Sequence, residues 1–111
     1  MSLAKSIGVL LSILALGGCA KPIPAARLAY VGTWQGTGMN LRILADGRVN
    51  YSRQSGNSST TINAPLQEFM GDNFKVGVGP IGTTFVVSAA PHRVDGEWRM
   101  VVDGVELHKV P

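Results

Sequence analysis

Acid–base or metal chemistry in this chain would have to be built from few residues. Among its 111 residues are two histidines, His92 and His108, and seven acidic side chains. A catalytic or metal group would join one of these imidazoles to Asp72, Asp95 or Asp103. The spacing does not favour it: there is no His-x-x-x-His or Glu-x-x-His pair for a metal, and no Gly-x-Ser-x-Gly elbow for a nucleophilic serine. Asp95 and Asp103 each precede a glycine, which reads as turn chemistry. His108 falls in an alternating strand and is expected at the surface. His92, following Pro91, is the one candidate for proton transfer. Asp72-Asn73 lies between Phe69 and Phe74, and with the loop carrying Arg93 and Asp95 it offers a patch for partner contact. The chain is therefore read as a non-enzyme, with no metal and no cofactor. The glycine-rich run Gly77-Val78-Gly79-Pro80-Ile81-Gly82-Thr83-Thr84 lacks the Gly-Lys-Ser/Thr ending of a phosphate loop. It is expected to be a turn between two strands.

The single cysteine, Cys19, carries the clearest chemistry, because a thiolate is the nucleophilic form of the side chain. Before it stand Lys5 and an apolar run, Ile7-Gly8-Val9-Leu10-Leu11-Ser12-Ile13-Leu14-Ala15-Leu16. As a helix this run would span roughly 15 Å, half of a ~30 Å hydrocarbon core, which suits a signal peptide better than a membrane span. The run ends in Leu16-Gly17-Gly18-Cys19, which resembles the lipobox of bacterial lipoproteins. The resemblance implies peptidase recognition through Leu16, Gly17 and Gly18, removal of residues 1–18, and acyl chains on Cys19 as the new N-terminus. It implies attachment to the cell envelope, and Ala20 in place of Asp favours the outer membrane, facing the periplasm. Residues 19–29 are expected to be the acylated N-terminus and a proline-containing tether, whose segment 21–27, with Pro22 and Pro24, would hold a domain of residues 30–111 some 20–25 Å from the bilayer at about 3.1 Å per residue.

Bulk properties limit the remaining possibilities. One cysteine excludes an intramolecular disulfide framework. The formal net charge of +3 becomes +2 once Lys5 leaves with the leader, and no basic run interleaved with aromatics is present. Nucleic acid is thus not an expected partner. Apolar residues at 45% and charged residues at 15% suit one small globular domain.

From Tyr30 onward a period of two dominates and no helical stripe emerges. Met39, Leu41, Ile43 and Ala45 share a face opposite Asn40 and Arg42, and Asp46-Gly47 turns the chain into Val49 and Tyr51. Similar patterns predict strands near 30–36, 39–45, 48–53, 73–78, 83–88, 97–102 and 105–109, with a short extra one near Ile62. Residues 54–60 read as a polar loop. The expected fold is all-β: an antiparallel meander of about seven strands, closed into a small barrel or folded into a sandwich. Trp34, Leu41, Ile43, Phe74, Val76, Phe85, Val87, Trp98, Met100 and Leu107 form its expected core.

Gly32-Thr33-Trp34 resembles the Gly-x-Trp signature of lipocalins. That resemblance implies a reduced barrel carrying an apolar ligand near Trp34 and Trp98. Without it, Trp34 plugs one end of a barrel, and Gly32 permits tight packing there. In size and layout the chain is also similar to small membrane-bound inhibitors of lysozyme type, whose loop carries Ser-Gly; here Ser55-Gly56 is followed by Asn57, Ser58 and Ser59. The sequence thus points to a lipid-anchored envelope protein with a non-catalytic binding or structural role. A carrier of a small apolar ligand and a protein inhibitor of cell-wall hydrolases are the alternatives. Partners are expected to be the membrane, through Cys19, and an envelope protein or small ligand.

Overall fold

Asp95-Gly96 and Asp103-Gly104 each place two consecutive residues at positive φ, 52° and 80° in the first pair and 48° and 79° in the second. Two such residues define the mirror-image turn whose twist matches that of paired strands, and Asp tolerates the conformation better than most side chains. Each pair therefore closes a tight hairpin. The computed structural model describes residues 20–111, and nine strands follow a 3-10 helix over Ala25–Tyr30. They are β1 (Gly32–Gly36), β2 (Met39–Ile43), β3 (Arg48–Ser55), β4 (Ser58–Met70) and β5 (Asn73–Val78). After these come β6 (Ile81–Phe85), β7 (Val87–Val94), β8 (Glu97–Val102) and β9 (Val105–Val110).

All pairings are antiparallel, and the sheet order is β6-β5-β4-β3-β2-β1-β9-β8-β7. The sheet curls into a half-barrel around one apolar core. Its terminal strands, β6 and β7, are joined through Val86 alone. Asp103 stabilises that junction: its backbone N–H donates to the Val86 carbonyl (2.8 Å), and its carboxylate accepts from the Val86 N–H (2.9 Å).

Two differences from the expected seven strands have physical causes. The first is β4, whose first half exposes Ser58, Ser59, Thr60, Thr61 and Asn63, whose inward row is diluted by Ala64, and whose outer row is broken by Pro65, so its alternation is weak. It holds two partners in succession: residues up to Pro65 pair with β3, and Leu66 onward pairs with β5, with a register shift at Gln67. The second is the run 83–88, which Val86 divides into β6 and β7. Strand β7 tolerates Pro91 because it is an edge strand with irregular pairing.

Residues 22–30 are not a free tether. Ile23 is buried, its N–H donates to the Ala45 carbonyl (3.0 Å), and Tyr30, expected to open a strand, ends the 3-10 helix with its ring in the core. Gly47 admits this strap: it sits at φ 97°, and a Cβ there would collide with the Lys21 carbonyl oxygen. The expected core is otherwise buried, except that Trp98 is only half-buried. Ile23, Tyr30, Tyr51 and Leu66 join it.

The β2–β3 turn yields an acid-side prediction. The Asp46 carboxylate accepts from the Arg48 backbone N–H (3.1 Å) and pairs with its guanidinium (2.8 Å). The backbone hydrogen bond, ahead of the side-chain contact, holds its pKa below the usual 3.8. A carboxyl with a depressed folded pKa contributes stability above its unfolded value and loses it as pH falls through the folded one. Asp46→Asn is therefore expected to flatten the loss of thermal stability below about pH 3.8. An unchanged acid slope would show that the turn contributes nothing.

Candidate functional site

The two tryptophans meet through a cation. Strand β1 carries Trp34, whose register partner on β9 is Lys109. The Lys109 ammonium lies 5.0 Å from the Trp34 ring centroid and 5.2 Å from that of Trp98, and it donates to the Ala29 carbonyl of the 3-10 helix (2.9 Å). Burial pushes its pKa below the ordinary lysine value. Gly32 makes room for this side chain, since a Cβ there would stand 3.0–3.2 Å from the Lys109 stem carbons. Trp34 is fully buried and its indole N–H donates to the Tyr30 carbonyl (2.9 Å). The pair Trp34 and Trp98 thus clamps Lys109 against the strap. On the outer side Arg93 covers Trp98 at 5.5 Å and donates to the Gly96 carbonyl (2.9 Å).

Asp72 belongs to a different cluster. Arg27 approaches its carboxylate at 3.8 Å, and the Tyr30 hydroxyl donates to its backbone carbonyl at 2.9 Å. The Arg27 guanidinium also lies 4.9 Å from the Phe69 ring centroid. Burial, followed by the Asp72 charge, raises the Tyr30 pKa above 10.0. Beside this cluster a groove of about 330 Å³ runs between residues 21–27 and Leu66, Gln67, Glu68 and Phe69. Asp72 and Arg93, expected to share a patch, are therefore held by separate partners.

His92 is exposed, with Nδ1 2.8 Å from the Ala90 carbonyl, a contact in which an Nδ1–H donates to the carbonyl oxygen. Its register partner is Arg99, a cation already paired with Glu97 (3.0 Å) and Glu106 (3.4 Å). The second histidine, His108, lies on the other side of Arg99. Neither position places a carboxylate directly across from an imidazole, as a relay would require. Among the described residues, no group of three His, Cys, Asp or Glu could hold a metal ion. Leu16, Gly17, Gly18 and Cys19 lie outside the described residues. Ser55-Gly56 lies at the exposed tip of the β3–β4 hairpin, where Ser55 pairs with Ser58.

The sequence reading missed a surface on the outer face of β1–β4. Register places Thr33, Arg42, Asn50 and Asn63 in one cross-strand row. Gln35, Asn40, Ser52 and Thr61 form the next. Asn50 donates to the Asn63 side-chain carbonyl (2.9 Å), which orients two neighbouring amides. A shallow groove of about 270 Å³ follows these rows. The side chains of the two rows are amides and hydroxyls with Arg42 the one charge, whereas the surface that lines the groove between them is mostly carbon. The signal was present as the polar half of the alternation, but strand registers are needed to bring the four segments into rows. Comparison of the chain with protein-family models, with curated proteins and with solved structures finds no match.

Proposed function

We propose that this is a lipid-anchored envelope protein with a non-catalytic binding role, held at the outer membrane by acyl chains on Cys19 and facing the periplasm. The observation that carries the binding reading is the pair of cross-strand rows on β1–β4. They present eight hydrogen-bonding side chains from a rigid sheet, and only one of the eight is charged. Such a surface suits a partner rich in hydrogen-bonding groups, while anchoring raises the frequency of encounters at the membrane. The apolar interior is taken up by side chains such as Trp34, Leu41, Phe74 and Phe85, all at most 1% exposed. This favours recognition on the outside of the half-barrel.

The groove along residues 21–27 supports a second reading, a small apolar ligand bound outside the core against Ile23, Leu66 and Phe69. One experiment separates the two. The protein extracted from membranes is weighed intact for acyl chains on Cys19, then examined by native mass spectrometry after incubation with envelope extract. Asn50→Glu with Asn63→Lys, which replaces the amide pair by an opposite-charge cross-strand pair next to Arg42, is expected to abolish a retained macromolecule while leaving thermal stability nearly unchanged. A small retained mass that disappears on Phe69→Ser would support the carrier instead. A chain without acyl mass would overturn the anchor.

A further inference from the structure

The most exposed large apolar side chains among the described residues sit together at one hairpin tip. Ile81 is 80% exposed and Val78 is 59% exposed. They form the last register pair of β5 and β6, with Gly79-Pro80 as the turn between them. No charge occurs from Gly77 through Thr84. An apolar, uncharged tip of this kind is costly to leave in water unless it meets a partner.

The tip is also braced. Gln67, the residue at the β4 register shift, donates from its side-chain amide to the Gly79 carbonyl (2.9 Å). Its other amide atom is buried without a hydrogen-bond partner, so the side chain is committed to this contact at some cost. Such a brace presents Val78 and Ile81 outward on a fixed turn.

Position indicates what covers the tip. Gly77, Val78 and Gly79 line one groove with Lys21, and Lys21 stands two residues after Cys19. The strap then docks at Ile23, so the chain reaches the membrane-proximal residues beside this hairpin. Lys21 supplies a cation at the same place. Lys75 on β5 is a second cation near the hairpin, opposite Glu68 in register.

We propose that the tip Val78-Gly79-Pro80-Ile81 inserts into the interfacial layer of the bilayer that holds Cys19, with Lys21 beside the lipid phosphates. This deepens the anchored reading and rests on it for the identity of the membrane. Acyl chains alone leave a domain free to tumble about its attachment. A second contact at the tip fixes which face of the half-barrel looks away from the bilayer. Apolar side chains and cations at the headgroup boundary both favour such seating.

The test uses the acylated mature product, residues 19–111, in vesicles of phosphatidylethanolamine and phosphatidylglycerol. A single environment-sensitive fluorophore is placed at Pro80→Cys, and a control fluorophore at Asn57→Cys on the β3–β4 tip. The Pro80 probe is expected to shift to the blue and to be quenched by lipid-borne quenchers, whereas the Asn57 probe stays aqueous. Val78→Ser with Ile81→Ser is expected to shift the insertion equilibrium outward by about tenfold for each side chain and abolish the blue shift. Lys21→Glu should lower insertion by about fivefold on anionic vesicles. An aqueous Pro80 probe on a chain whose intact mass shows acylation overturns the tip while leaving the anchor standing. A buried probe on a chain without acyl mass overturns the anchor and leaves the tip.

Discussion

Replacing Trp34 by alanine is expected to cost about 3–5 kcal/mol, the usual penalty for removing a buried aromatic side chain. A domain of this size holds roughly 5–14 kcal/mol in total. The melting temperature should therefore fall by about 15 °C or more. The structure makes this site costlier than an average core position. The indole packs on Lys109 at 5.0 Å and hydrogen-bonds the Tyr30 carbonyl, so its loss also loosens the strap that closes this end. Lys109→Met provides the comparison. It keeps an apolar stem against Gly32 but removes the ammonium from two indoles and from the Ala29 carbonyl. Burial already penalises that charge, as its lowered pKa shows, so part of the lost attraction is returned on removal. A loss of about 1–2 kcal/mol is expected, well below that for Trp34. Thermal and denaturant unfolding of the two variants measure both. A loss below about 1 kcal/mol for Trp34→Ala would mean that this end of the half-barrel is not part of the cooperative core.

The strands legible in the sequence were those with a clean period of two between turn signals. That pattern places Leu41, Ile43, Val49, Phe74, Val76, Met100 and Leu107 inward, and all are buried. Asp95-Gly96 and Asp103-Gly104 were recognisable as turns because Asp and Gly accept positive φ. The hidden features have local signals that compete with tertiary context. Strand β4 carries Ser58 through Asn63 with one large apolar residue, Ile62, and contains a proline, so local propensity speaks against a strand that pairing with both β3 and β5 enforces. Pro22 and Pro24 suggested a tether because proline discourages regular structure, yet Ile23 between them finds a buried site that the sequence does not advertise. For the candidate sites, Trp34, Trp98, Asp72, His92 and Arg93 were each visible as residue types. Which of them meet depends on tertiary structure: register set Lys109 across from Trp34, and the docked 3-10 helix brought Arg27 to Asp72.

The strap leads to the second large effect. If residues 22–30 were a tether, Ile23→Asp would change stability by no more than about 0.5 kcal/mol, as exposed substitutions do. In the observed packing Ile23 is 6% exposed, and its N–H is bonded to the Ala45 carbonyl. A carboxylate in that position cannot stay buried unpaired, so the strap must lift away from the barrel end. Lifting it uncovers part of the Tyr30, Phe69 and Phe74 cluster, where the ring centroids of Tyr30 lie 5.0 and 6.1 Å from those of the two phenylalanines. A loss of about 3 kcal/mol is expected, with amide exchange accelerated first at Ile23 and along the 3-10 helix. Gly47→Val should lift the same strap from the opposite side, because any side chain there meets the Lys21 carbonyl. Doing both should cost less than the sum of the two, since the strap contact is lost only once while the strain of a valine at φ 97° remains. The consequence reaches the proposed anchor. Ile23 stands four positions after Cys19, about 13 Å of extended chain, so a docked strap keeps the body closer to the bilayer than the 20–25 Å a free tether would allow. Distance measurements between lipid and a probe at Pro80 in the Ile23→Asp background should therefore lengthen. An unchanged distance together with full stability would return residues 22–30 to the role of a tether.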